Sequence, residues 1–164
     1  MCMRDRRVLI FAVFVVATLA MMVLPARAEE KGPPSQVMAV LQTDLHGFNT
    51  NNFALSNSQY ASDVVIIDEF PPYRWEGPGA NARYWADFRK LSKAIKLTCY
   101  HLSYQKPSYW EIADGRAYIV APAVFTGVAD GKPFTEMGVE TLLLVKVDGA
   151  WKMQGWAYGK TSMH

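Results

Sequence analysis

The chain has 164 residues, 51% of them apolar and 13% aromatic, with 17 Lys and Arg against 15 Asp and Glu for a formal charge of +2. So slight a surplus gives no sign of nucleic acid or an anionic surface as partner, and neither is expected. Even that surplus belongs to one short segment at the start, which is set aside before the fold is read.

Arg4, Arg6 and Arg7 make a basic start, Val8 to Leu24 carries no charge, and Ala26-Arg27-Ala28 follows Pro25. A positive stretch, an apolar core and small residues at the −3 and −1 positions describe a secretory signal cleaved after Ala28. The rival reading is an uncleaved anchor, since the apolar run nears the length of a spanning helix. With residues 1–28 read as a leader, the expected destination is periplasmic or secreted, with no stable membrane association after cleavage. Arg6-Arg7 also admits a twin-arginine route. Removing the leader takes four Arg and one Asp with it, leaving 13 basic and 14 acidic residues. Cys99 is then the sole cysteine, which rules out an intramolecular disulfide and reads as a small buried strand residue.

Residues 29–36 form a polar lead-in. Val37, Val40, Leu41, Leu45 and Phe48 recur at helical intervals, with Ser35 as the N-cap. After the turn cluster Asn49-Thr50-Asn51-Asn52, Phe53 to Tyr60 reads as a short second helix. Val64 to Ile67 is a β-branched strand ended by Pro71-Pro72, placed at the edge of a sheet. Beyond Gly77-Pro78-Gly79, the apolar residues Tyr84, Trp85, Phe88, Leu91 and Ile95 mark a third helix. From Leu97 onward the period is two. Strands are expected over Leu97–Tyr104, Tyr109–Ile112, Ala117–Val128, Phe134–Val147 and Trp151–Tyr158, with Asp148-Gly149 a hairpin signal. On the longest strand Glu136, Gly138 and Glu140 fall on what reads as the more polar face. Helices followed by an antiparallel meander give an α+β fold, its helices on one face of a curved sheet. The concave side of such a sheet is a natural pocket.

Two motifs carry a family resemblance over Val37 to Lys160. One is Tyr60-Ala61-x-Asp63, four apolar residues and Asp68, with Gly77 nine residues on; the other is the hairpin Asp148-Gly149-x-Trp151. In their order and spacing they resemble the nuclear transport factor 2-like superfamily, within it the SnoaL-like and ketosteroid isomerase-like branch. The resemblance implies a cone-shaped, cystatin-like α+β barrel. Its curved antiparallel or mixed sheet wraps around three N-terminal helices, with residues 37–160 as a SnoaL-like domain that pairs as a homodimer through the sheet face. It does not imply one chemistry. Asp68 stands where ketosteroid isomerases place their general base. The positions of that enzyme's two oxyanion donors fall near Asp44 and Leu143, where neither donor residue is present.

Strand parity sets Asp68 on the face of Val64, Ile66 and Phe70, where an apolar surround raises a carboxyl pKa. Glu69 points the other way and reads as surface. His101, alternating with Leu97 and Cys99, is the second catalytic candidate, facing Asp68 across the pocket. Tyr60, Trp75, Tyr84, Phe88, Tyr104, Tyr118, Phe125, Trp156 and Tyr158 are expected to line a pocket for an apolar or aromatic small molecule. Glu140 reads as half of a cross-strand ion pair. The three His residues are scattered, so neither a metal site nor a cofactor is expected. Two readings stay open: a proton-transferring isomerase, cyclase or hydratase with Asp68 as base, and a non-catalytic binding or accessory module.

Overall fold

Three Asp-Gly pairs, 114-115, 130-131 and 148-149, set the architecture. In the computed structural model, which describes residues 32–164, all six of these residues have positive φ. Two consecutive positive φ values give the turn whose twist matches that of the strands it joins. The leader read over 1–28 and the start of the lead-in lie outside the described residues.

The helices are α1 (Ser35–Asn49), α2 (Phe53–Asn57) and α3 (Ala80–Ala94). The strands are β1 (Tyr60–Ile67), β2 (Arg74–Pro78), β3 (Thr98–Tyr104), β4 (Tyr109–Ala113), β5 (Arg116–Ala129), β6 (Lys132–Val147) and β7 (Ala150–Met163). They form one sheet in the order β2-β1-β7-β6-β5-β3, with β4 also on β5 and only the β1–β7 pair parallel.

Three local expectations are corrected. The second helix stops at Asn57, and Tyr60 opens β1 instead. Ser35 lies inside α1, with no side-chain hydrogen bond capping that helix. The Pro pair does not leave β1 at the edge: the chain turns back through Tyr73, at φ 70°, into β2, which forms the edge itself. β2 is too short and polar to show a two-residue alternation, so nothing in its composition announced it.

All three helices lie over one face of the curved sheet. The stripe of α1 (Val37, Val40, Leu41) packs on Ala117, Ile119 and Ala121 of β5, Leu142 and Leu144 of β6, and Met153 of β7. Tyr84, Trp85 and Phe88 of α3 pack with Phe48 on Val64 and Ile66 of β1 and Trp75 of β2. Each fully buried aliphatic side chain contributes about 1.5–3 kcal/mol of transfer free energy. Tyr60 and Trp156 touch both clusters. The opposite face of the sheet exposes Val65, Ile67, Tyr118 and Leu143.

Candidate functional site

A cavity of about 100 Å³ opens between the concave sheet and the helices. Ten aromatic residues line it, among them Phe48, Phe70, Tyr84, Trp85, Phe125 and Trp156, and so do five carboxylates: Asp44, Asp68, Glu69, Glu136 and Glu140. No Lys, Arg or His is among the lining residues.

The acids reach it from α1, the β1–β2 turn and β6. Asp44 sits in the apolar stripe of α1 between Leu41 and Phe48. The Ser56 hydroxyl donates to its Oδ1 at 2.5 Å and the Tyr60 hydroxyl to its Oδ2 at 3.5 Å. Trp156 Nε1 in turn donates to the Tyr60 oxygen at 3.0 Å. Burial lifts the Asp44 carboxyl from 3.8 to about 7, against the downward pull of its two donors.

Asp68 keeps the inward parity of Val64 and Ile66. Its Oδ2 accepts from the Tyr84 hydroxyl at 2.9 Å, and its Oδ1 from the Glu69 N–H at 2.7 Å. Burial, aided by the charges of Glu69 and Glu136, raises it to about 6 although both donors oppose the rise. The Tyr84 ring is fixed edge-on between Trp75 and Trp156, with ring centroids 5.1 Å away on each side.

Glu140, 5% exposed, accepts from the Tyr104 hydroxyl at Oε2, 2.8 Å away. Burial, with added repulsion from Asp44 and Asp68, takes it to about 8. Of the eight carboxylate oxygens on Asp44, Asp68, Glu136 and Glu140, seven accept a hydrogen bond or ion pair from the described residues; Glu140 Oε1 does not. At the rim, Lys160 Nζ lies 2.9 Å from both Glu69 Oε1 and Glu136 Oε2, and Tyr158 donates to Glu136 Oε1 at 2.8 Å.

Of the residues singled out from the sequence, Asp68, Tyr60, Tyr84, Phe88, Tyr104, Phe125, Trp156 and Tyr158 meet at this cavity. Three do not. His101 is exposed, because an extra residue in β3 between Thr98 and His101, with Cys99 at φ 50°, flips the strand's parity. Tyr100, Leu102 and Tyr104 turn inward in its place. Trp75 is buried in the core, its Nε1 donating to Asp87 at 3.0 Å, and Tyr118 lies on the opposite face against Tyr109. Cys99 is exposed, not buried.

The reading of β6 is reversed. The face carrying Glu136, Gly138 and Glu140 is the buried, concave one, so Glu140 is no cross-strand ion pair. Leu142 and Leu144 share that face and were the available signal for it. Asp44 had a signal too, as an acid inside an apolar helical stripe. Glu69 is not free on the surface but tied to Lys160 at the rim.

No family model matches the chain, and no curated protein matches it. Solved structures do. A nuclear transport factor 2-like superfamily protein from Salmonella enterica superposes with a TM-score of 0.65 at 14% identity, over 77% of this chain and 89% of that one. A ketosteroid isomerase-like protein from Erwinia carotovora atroseptica gives 0.62 at 17% identity, over 77% and 94%. A hexachlorocyclohexane dehydrochlorinase, LinA-type3, from Novosphingobium barchaimii gives 0.66 at 13% identity, over 79% and 86%. Likeness at such identities speaks for the backbone and leaves the chemistry to the site. The chain has the nuclear transport factor 2-like fold.

Proposed function

We propose that the chain is an exported enzyme that moves a proton on an apolar, ring-bearing carbonyl compound held in the cavity, with Asp68 as the base. The observation that carries this is Asp68 itself. It is ionised at neutral pH, yet at about 6 it is a stronger base than an ordinary aspartate, and it stands in an aromatic wall. The carboxylate takes a proton from carbon beside the carbonyl, the C–H electron pair forms a C=C bond, and the carbonyl π pair moves onto the oxygen. Glu140 is neutral below about pH 8, and its Oε1 has no hydrogen-bond partner among the described residues. It is the donor we assign to that developing charge. Return of the proton at another carbon gives isomerisation; departure of a leaving group gives elimination, the reaction in the dehydrochlorinase's name.

The test begins with a thermal-shift screen of cyclic ketones and enones, followed by deuterium exchange of the bound ketone's α-hydrogens in D2O, read by NMR. The wild type is expected to exchange with a bell-shaped profile, rising through about pH 6 and falling through about pH 8. Asp68→Asn should bind the ketone but exchange it about 10²-fold more slowly or worse. Glu140→Gln should lose the alkaline limb. A ligand that binds without exchange in the wild type would leave the non-catalytic binding reading in possession. Pairing of two copies through the exposed sheet face belongs to this proposal, supported by Val65, Ile67, Tyr118 and Leu143 standing exposed there. A monomer mass by light scattering would remove it.

A further inference from the structure

We propose that Lys160 is the positioning residue of this site, fastening the turn that carries Asp68 to β6 and supplying the ammonium that its carboxylates otherwise lack. The inference rests on Asp68 as the working group, but it concerns how that group is held. Lys160 Nζ stands 2.9 Å from Glu69, the residue next to Asp68, and 2.9 Å from Glu136 on β6. Among the described residues it alone of the Lys and Arg side chains pairs with carboxylates that line the cavity.

The partners are themselves fixed. Glu136 has 6% of its side chain exposed, and its second oxygen is taken by the Tyr158 hydroxyl. The Tyr158 ring lies so close over Gly138 that a methyl group added there would overlap it. A continuous line of contacts therefore runs from Gly138 through Tyr158, Glu136 and Lys160 to Glu69 and the turn. Within the turn, Asp68 N–H donates to the Tyr73 carbonyl at 3.2 Å and Tyr73 N–H to the Phe70 carbonyl at 2.8 Å. Tyr84 and the buried Phe70 tie it to α3, and Lys160 ties it to β6.

Charge makes the same arrangement chemical. The titratable groups around Asp68 are Tyr84 from α3, Glu136 and Glu140 from β6, Tyr158 from β7, and Glu69 beside it, with Lys160 of β7 paired to Glu69 and Glu136. Asp44 and Tyr60 stand across the same cavity, from α1 and β1. With the ammonium gone, Glu69 and Glu136 are left as unpaired negative charges next to the base. Like charges disfavour ionisation, so Asp68 must hold its proton to higher pH.

The experiment follows the Asp68 side-chain carboxyl carbon by NMR across pH, together with amide exchange of residues 68–73, in the wild-type chain and three variants. In Lys160→Met the Asp68 midpoint is expected to move up by about one pH unit, with faster exchange in the turn. Lys160→Arg should restore both. Glu69→Gln weakens the tether but removes a neighbouring negative charge, so the turn should loosen while the Asp68 midpoint moves down. That opposed pair of responses is not what simple loss of folding gives. An Asp68 midpoint within about 0.3 pH unit of wild type in Lys160→Met, or one that moves the same way in Glu69→Gln, overturns the proposal. Neither readout needs turnover. A silent exchange assay beside a shifted midpoint would count against the proton-transfer reading and leave the role of Lys160 standing.

Discussion

At Asp68, two opposed forces act on one carboxylate. Burial drives it toward the neutral acid, while the Tyr84 hydroxyl, 2.9 Å away, favours the anion. Tyr84→Phe removes the hydroxyl and keeps the ring that packs on Phe70, Trp75, Trp85 and Trp156. A hydrogen bond to a charged group is worth about 1.5–3 kcal/mol, and here it exists at full strength only above the Asp68 midpoint of about 6. Urea unfolding should show Tyr84→Phe less stable by an amount in that range at pH 8, and by clearly less at pH 5, where the acid is already neutral. Equal losses at both values would mean that the hydroxyl serves packing and not the charge. The same substitution is expected to raise the Asp68 midpoint, since the donor it deletes was lowering it.

The elements show how far the sequence could be read. Helical spacing found α1 and α3, Asp148-Gly149 found the last hairpin, and the parity of β1 turned Asp68 inward, because each is a local rule. Parity failed on β3 for a reason local rules do not carry. Cys99 occupies the left-handed region, and the inserted residue exchanges the strand's faces, sending His101 outward and Leu102 inward. Polarity misled on β6 because its concave face, which borders the cavity, carries the buried acids Glu136 and Glu140 among its apolar residues. The bulge has its own test. A left-handed conformation costs a residue with a Cβ about 1–2 kcal/mol and suits glycine, while β-branched residues resist it most. Strand propensity ranks Val above Cys above Gly, and the bulge ranks the outer two in reverse. Cys99→Gly should stay within about 1 kcal/mol of wild type, since the relief is set against glycine's backbone entropy. Cys99→Val should lose about 1–2 kcal/mol. Chemical denaturation measures both, and a stabilised Val variant would contradict the bulge. His101→Ala, on the exposed side, should leave ketone exchange unchanged.

For the whole molecule, the cavity's acids set how stability answers to pH. Asp44 and Asp68 move from 3.8 to about 7 and about 6, and Glu140 from 4.5 to about 8. Above about pH 5 the unfolded chain has released all three protons, while the folded chain gives them up one at a time, Asp68 at about 6, Asp44 at about 7 and Glu140 at about 8. Stability rises with pH only where the unfolded state binds more protons, so here the sign is negative. The stabilisation of the neutral acids is complete below the unfolded values near 4. It is then lost as pH climbs, and the decline ends once Glu140 has ionised at about 8. Each unmatched proton is worth about 1.4 kcal/mol per pH unit, so even one of the three outweighs the surface ion pairs, whose contributions are about 0–1 kcal/mol. The urea midpoint should therefore fall steadily from about pH 5 to about pH 8 and flatten above it. Asp44→Asn and Glu140→Gln hold their hydrogen-bond acceptors but cannot ionise, so each should make the fall shallower, and the pair together shallower still. A midpoint that rises from pH 5 to pH 8 would mean that these acids are ionised inside the folded chain. Asp68 would then be an ordinary aspartate, and Glu140 no donor.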